Sequence, residues 1–278
     1  MDELLIRHAR VEEMPFLISL AAEEGWNPGF EDGIAFYAAD PMGFFIAEKG
    51  GEKVGCISAV AYGANYGFLG FYIIKAPYRH QGFGLRLWQH ALKYLEKRCV
   101  GLDGVVAQQE NYKKSGFKFY YRNIRFEGVC GGSMPSMVVP LEAVSFDAIA
   151  EYDSKVFGVN RELFLKKWLH MNNALTLAVV DGQELLGYGV IRKCLKGCKV
   201  GPLFANNAEI AEELFLGLSA TAGKTPLFWD VPEINLAAVE MAKKRGMAKV
   251  FETARMYSKE PPIHLQASVF GVTSFELG

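Results

Sequence analysis

Apolar positions along the chain fall into short runs and helical stripes in a definite order. Met14, Leu17, Ile18 and Ala21 recur at the spacing of one helix face, Pro15 is tolerated in a first turn, and Gly25 supplies a stop. Residues 44–48 and 54–60 are apolar runs around Lys49-Gly50-Gly51-Glu52-Lys53, the pattern of a β-hairpin. A third strand is expected over 68–74, then an amphipathic helix over about 85–97 with Leu85, Trp88, Leu92 and Leu95 on one stripe, then a short strand from Gly104. Residues 54–74 carry no charge and could span a bilayer by length, but the turn chemistry of Gly63-Ala64-Asn65-Tyr66-Gly67 splits them into two β-rich pieces.

From about Met137 the same grammar returns: an apolar strand, a helix around 146–157, and a hairpin turning at Asp181-Gly182. Residues 175–190 match 44–57 in element order, turn position and apolar pattern, which predicts a duplicated α+β module. Three glycines and two prolines between Gly128 and Pro140 mark the connection. The expected organisation is a first domain over 1–130, a linker over 131–140 and a second domain over 141–278.

The length of 278 residues and the 50% hydrophobic content suit a globular protein with a large core. A net charge of -1 leaves no overall basic excess for nucleic acid. Five cysteines are too few and odd in number for a secreted disulfide framework, so reduced thiols are expected. Cys194 and Cys198 lack a second Cys/His pair at ligand spacing, and no metal is expected. The first residues lack a basic segment followed by an apolar one, which makes the cytoplasm the default location.

The chemistry concentrates in Tyr78-Arg79-His80-Gln81-Gly82-Phe83-Gly84-Leu85, between an apolar strand and an amphipathic helix. Gly82 and Gly84 allow close backbone approach, and the free N–H groups of the next helical turn favour an anion such as pyrophosphate. Arg79 and Arg86 add positive charge. A Rossmann fingerprint fails because position 87 is Leu and the upstream strands form a hairpin. Ala222-Gly223-Lys224-Thr225 is a near miss for a P-loop, with helix-loop-strand order and Pro226 following at once.

Arg-x-x-Gly-x-Gly after a strand, followed by Tyr112-Lys113-Lys114-Ser115-Gly116-Phe117, resembles the GCN5-related N-acetyltransferase (GNAT) superfamily over about residues 4–127. The resemblance implies two GNAT-like modules, each a mixed, mainly antiparallel twisted sheet flanked by helices, and acetyl-CoA or another acyl-CoA as co-substrate. It implies that the main-chain N–H groups of His80, Gln81, Gly82, Phe83, Gly84 and Leu85 hold the pyrophosphate, with Arg79 beside them. It further implies that Tyr72, Ile73 and Ile74 pair with the pantetheine arm, and that Tyr112 protonates the departing thiolate. A phenol of reference pKa about 10 suits that role. Val105 stands where the family often has asparagine, seven residues before the tyrosine. Trp26 and Asn27, after the first helix, are the expected acceptor contacts. The general base is not legible; Glu110 and His80 are the titratable groups near the motif.

The second half resembles a degenerate copy. Asn235-x-x-Ala238 is followed by Ala242 in place of the tyrosine, and the segment after Gly201 has no glycine loop but carries Glu209, Glu212 and Glu213. That half is expected to be structural, or a wall of the acceptor pocket. The expected activity is acetyl transfer to a primary amine of a small molecule or peptide. A non-catalytic acyl-CoA-binding sensor and a duplicated structural scaffold are the alternatives. A homodimer is one assembly the sequence allows; neither nucleic acid nor a membrane is an expected partner.

Overall fold

The computed structural model describes residues 4–278. The first half runs β1 (Leu5–His8), α1 (Met14–Glu23), α2 (Asp32–Ala39), β2 (Phe44–Lys49), β3 (Glu52–Tyr62), β4 (Tyr66–Ile74), α3 (Phe83–Tyr94), β5 (Cys99–Val105), α4 (Gln109–Lys114) and β6 (Lys118–Gly128). The second runs β7 (Val138–Pro140), α5 (Phe146–Phe157), α6 (Glu162–Trp168), β8 (Ala174–Asp181), β9 (Glu184–Lys193), β10 (Cys198–Ala205), α7 (Ala208–Ala222), β11 (Leu227–Pro232), α8 (Leu236–Lys244), β12 (Ala248–Tyr257) and β13 (Val269–Gly271). Side-chain caps explain several starts: Ser145, Asn207 and Asn235 accept from the third amide of α5, α7 and α8. The charge-free stretch is the β3–β4 hairpin, and no helix among the described residues is long and apolar enough to cross a membrane.

Among the described residues, one mixed sheet of 13 strands runs through both halves in the order β1-β2-β3-β4-β5-β12-β6-β11-β10-β9-β8-β7, with β13 against β10. The last strands of the two halves are exchanged. β12 lies beside β5, pairing Thr253 with Val105 and Tyr257 with Gly101, while β6 lies beside β11, pairing Trp229 with Phe126. Side chains follow their strands: Ala254 and Met256 of β12 enter the core under α3, and Phe126 of β6 enters the core under α7.

On the opposite face, α1, α2, α5 and α6 share one core, in which Phe36 of α2 stacks on Trp168 of α6 with ring centroids 5.7 Å apart. The helix after the glycine loop starts at Phe83, two residues before the expected Leu85, because Gly82 already caps it. Its buried stripe is Leu87, Trp88 and Ala91, so Leu85 lies ahead of the core and is 60% exposed.

Candidate functional site

Strands β4 and β5 are parallel only from Tyr66–Cys99 to Leu69–Leu102 and then part. The cause is local. Between the pairs Ser58–Gly70 and Cys56–Ile73, Phe71 and Tyr72 oppose the single residue Ile57, and Phe71 takes φ +47°. Such a bulge bends its strand, and a positive φ on a bulky aromatic residue is a strained conformation. Phe71 is held there by packing against Phe36, centroids 5.7 Å apart. From Gly70 to Ile74 the β5-facing edge has no strand partner among the described residues, and a cavity of about 490 Å³ opens between the strands.

The glycine loop closes one end. His80 and Gly82 have φ +63° and +80°, and Arg79 is pinned by donating to the Ile74 carbonyl at 2.8 Å and pairing with Glu24. Among the described residues, the main-chain N–H groups of His80 through Leu85 donate to no protein acceptor; bonding resumes with Arg86 N–H to the Gly82 carbonyl. These donors precede and open the twelve-residue α3, where the helix dipole also favours an anion. Gln81 spends its side chain on the Pro77 carbonyl, Arg86 turns its guanidinium to the Leu4 carbonyl, and Gly84 leaves room for the Tyr72 hydroxyl.

Tyr112 lies across the cavity on α4, 8% exposed, its ring against Trp88 and over Gly104, where a Cβ would collide with it. Burial, with Tyr72 adding to it, raises its phenol pKa well above the ordinary value. Of the expected site residues, Trp26, Tyr72, Ile73, Ile74, Arg79, His80, Gly84 and Tyr112 line one cavity. Gln81, Gly82, Phe83, Leu85 and Asn27 do not line it; the Asn27 side chain donates to the Lys196 carbonyl and accepts from the Lys196 amide. Glu110 is exposed on α4 and paired with Lys113.

A model of the acetyltransferase (GNAT) family matches residues 9–120, and a model of an acetyltransferase (GNAT) domain matches residues 149–271. The chain belongs to the GNAT superfamily. A holothin acyltransferase of Pseudoalteromonas sp. (strain SANK 73390) is 32% identical over 273 residues, covering 97% of this chain and 93% of that protein. An acetyltransferase-like protein from Pyrococcus horikoshii shares the fold with a TM-score of 0.84 at 22% identity, covering 99% of this chain and 96% of its own. A tandem GNAT protein from the clavulanic acid biosynthesis pathway gives 0.62 at 15% identity, covering 93% and 100%. This protein is therefore a tandem GNAT chain with acyl transfer as its activity class, in a family that generally uses acyl-CoA as co-substrate.

In this GNAT chain the second module treats its own splay differently. β10 and β11 pair in parallel from Cys198 to Val200, then β13 lies along β10 at Leu203 and Phe204. Residues 272–278 continue across to the first module, where a Cβ on Gly70 would strike the Glu276 carbonyl oxygen. The Tyr62 hydroxyl donates to the Leu277 carbonyl at 3.0 Å, and Arg161 donates to the Thr273 hydroxyl at 2.9 Å. Phe251, Thr253, Phe275 and Glu276 thus line the first module's cavity opposite the glycine loop. Sequence reasoning left the second half as either structural or a wall of the acceptor pocket and named none of these residues, because nothing in the pattern shows that β12 is exchanged or that 272–278 crosses the sheet.

A buried polar cluster fastens this wall. Arg125 pairs with Asp230 through two 2.7 Å bonds and donates to the Trp26 carbonyl at 2.8 Å; Lys199 reaches the carbonyls of Trp26 and Asn27 at 3.3 and 2.9 Å. Arg192 pairs with Asp32 at 2.8 Å. Burial and Arg125 lower the Lys199 pKa. Trp26, from the first module, is thus positioned by β6 and by the second module's β10.

Proposed function

We propose that this protein is an acetyl-CoA-dependent N-acetyltransferase for the primary amine of a small molecule, working in the first module. The observation that carries the reading is the run of free N–H groups from His80 to Leu85 at the mouth of a splay whose inner wall holds Tyr112. The donors suit pyrophosphate, the unpaired edge at Tyr72, Ile73 and Ile74 suits the amide-bearing arm, and Tyr112 suits the thioester end. The amine nitrogen attacks the thioester carbonyl, the C–S bond breaks, the sulfur takes the Tyr112 proton, and the proton lost by the nitrogen returns to the Tyr112 phenolate. A phenol whose pKa is raised by burial stays protonated until that moment, which supports it as the donor.

The acceptor side is lined by Trp26, Phe71, Phe251 and Phe275 with few polar groups, which supports an amine with an apolar or aromatic body. A relative named for acyl transfer to holothin supports the same class of reaction. The test is thiol release from acetyl-CoA with a panel of 2-phenylethylamine, benzylamine, octylamine, aniline, spermidine and a lysine peptide. Turnover with the arylalkylamines is expected. Tight acetyl-CoA binding without turnover of any amine would instead identify a sensor, and absence of binding would overturn the site.

A further inference from the structure

Three carboxylates line the cavity: Glu24, Asp103 and Glu276. Two are committed. Glu24 pairs with Arg79 at the mouth. Asp103 takes two bonds from Arg255, at 2.8 and 2.6 Å, and one from Asn123 at 2.7 Å. Glu276 differs. It is only 4% exposed, yet its carboxylate makes no hydrogen bond or ion pair with any described residue. A buried carboxylate without a partner is costly, and one that persists at a cavity wall points to a group brought in from outside. Its oxygens are not among the unpartnered atoms sealed inside the protein, so its small accessible surface opens on the cavity it lines.

Its position suits a reaction at the thioester. The Glu276 main chain packs on Gly70, one residue before the Phe71 bulge where β4 leaves β5, and the neighbouring wall is Phe275, Phe251 and Trp26. We propose that Glu276, carried into the first module's active site by the second module, binds the acceptor's ammonium group and takes the proton that frees its lone pair for attack. This rests on the N-acetyltransferase reading above. The proton balance then closes. Glu276 takes one proton from the ammonium and frees the nitrogen lone pair, the N–C bond forms as the C–S bond breaks, Tyr112 protonates the sulfur, and the second N–H proton passes to the Tyr112 phenolate.

The charged groups facing Glu276 are Lys199 of β10, Arg125 of β6, Asp32 of α2 and Arg192 of β9. Burial raises the Glu276 pKa, Lys199 and Arg125 oppose that, Asp32 adds to it, and the net direction is upward. A carboxylic acid shifted this way is a better base at neutral pH than an ordinary one. It also fits the sequence: a module that lacks its own phosphate loop supplies the acceptor side of its neighbour's site.

Glu276→Gln keeps the shape and removes the base. The experiment compares wild type and variant from about pH 6 to about pH 10, between the carboxylate and alkylammonium ranges, using the panel alkylamine that wild type turns over fastest. Acetyl-CoA affinity is expected to be unchanged by titration calorimetry, and kcat to fall about 10²–10⁴-fold near neutral pH. The deficit should shrink as pH rises and free amine enters already deprotonated. An arylamine, neutral throughout, should show a smaller deficit than the alkylamine.

An equal loss at every pH, or an unchanged rate, overturns the proposal. The wild type supplies a check that needs no folded variant: its kcat must fall on the acid side through an ionisation above the ordinary carboxylate range, and a flat acid side sinks the idea. If wild type acetylates no amine, the N-acetyltransferase reading fails, whereas an active wild type with a parallel variant profile removes Glu276 alone.

Discussion

Tyr112 and Glu276 line the same cavity, and their surroundings push both pKa values upward for the same reason, loss of water around the charged form. The consequence differs with charge type. A phenol becomes a donor that stays loaded, and a carboxyl becomes a stronger acceptor. Tyr112→Phe keeps the ring on Trp88 and over Gly104, so acetyl-CoA binding should persist while the acylation rate falls about 10²–10⁴-fold. Steady-state rates beside calorimetric affinities check this, and turnover within about twofold of wild type would make Tyr112 a packing residue. The place of Tyr112 on the cavity was reachable from the sequence because the Tyr112 to Gly116-Phe117 spacing resembles the family's. Glu276 was not, since its meaning comes from Gly70, which is distant in sequence and leaves room for the main chain of residue 276.

At the scale of elements, the loop and α3 work as one unit, with Gly82 capping the helix at φ +80° and open space around the position a Cβ would occupy. Steric room is therefore not the constraint; backbone conformation and charge are. Gly82→Ala should cost about 1 kcal/mol of left-handed strain and leave binding measurable. Gly82→Asp adds a negative charge beside the free amides and should abolish the rise in melting temperature that acetyl-CoA gives to wild type. A preserved shift in the folded Asp variant would remove the pyrophosphate from this loop. Both hairpins and the strand-to-helix order were legible because alternation and glycine turns are local signals. The bulge at Phe71 was not, because nothing in the Leu69-Gly70-Phe71-Tyr72 pattern distinguishes a bulged strand from a straight one. The seam offers a further test. Asp230 is buried, yet its ion pair with Arg125 keeps its pKa below the usual carboxylate value. Its contribution to stability is present above about pH 4 and is lost as pH falls through the lowered pKa. Asp230→Ala, which strands a buried Arg125, should cost about 3–5 kcal/mol in chemical denaturation.

Across the whole molecule, duplication was legible in the repeated strand, helix and hairpin order, but exchange was not, since β6 and β12 both mix aromatic and aliphatic residues with charged ones and nothing local to either strand names its neighbour. The second module's splay already holds β13 against Leu203 and Phe204, so titration calorimetry should find one acetyl-CoA per chain. The exchange makes a stronger statement about folding. Residues 1–130 alone lack β12, which covers β5 from Gly101 to Val105 and places Ala254 and Met256 under α3. Residues 131–278 alone lack β6, which pairs with both β11 and β12 and places Phe126 under α7. Each half would expose a long sheet edge and an open core, and such edges invite aggregation. Neither half should therefore fold to a monomer or bind acetyl-CoA, whereas co-expression of the two should restore a one-to-one complex that binds it. The intact chain should unfold in a single transition by calorimetry, because every route to opening one module removes a strand from the other. A monomeric, folded 1–130 fragment that binds acetyl-CoA would mean that β6 can return to β5 and that the exchange is dispensable.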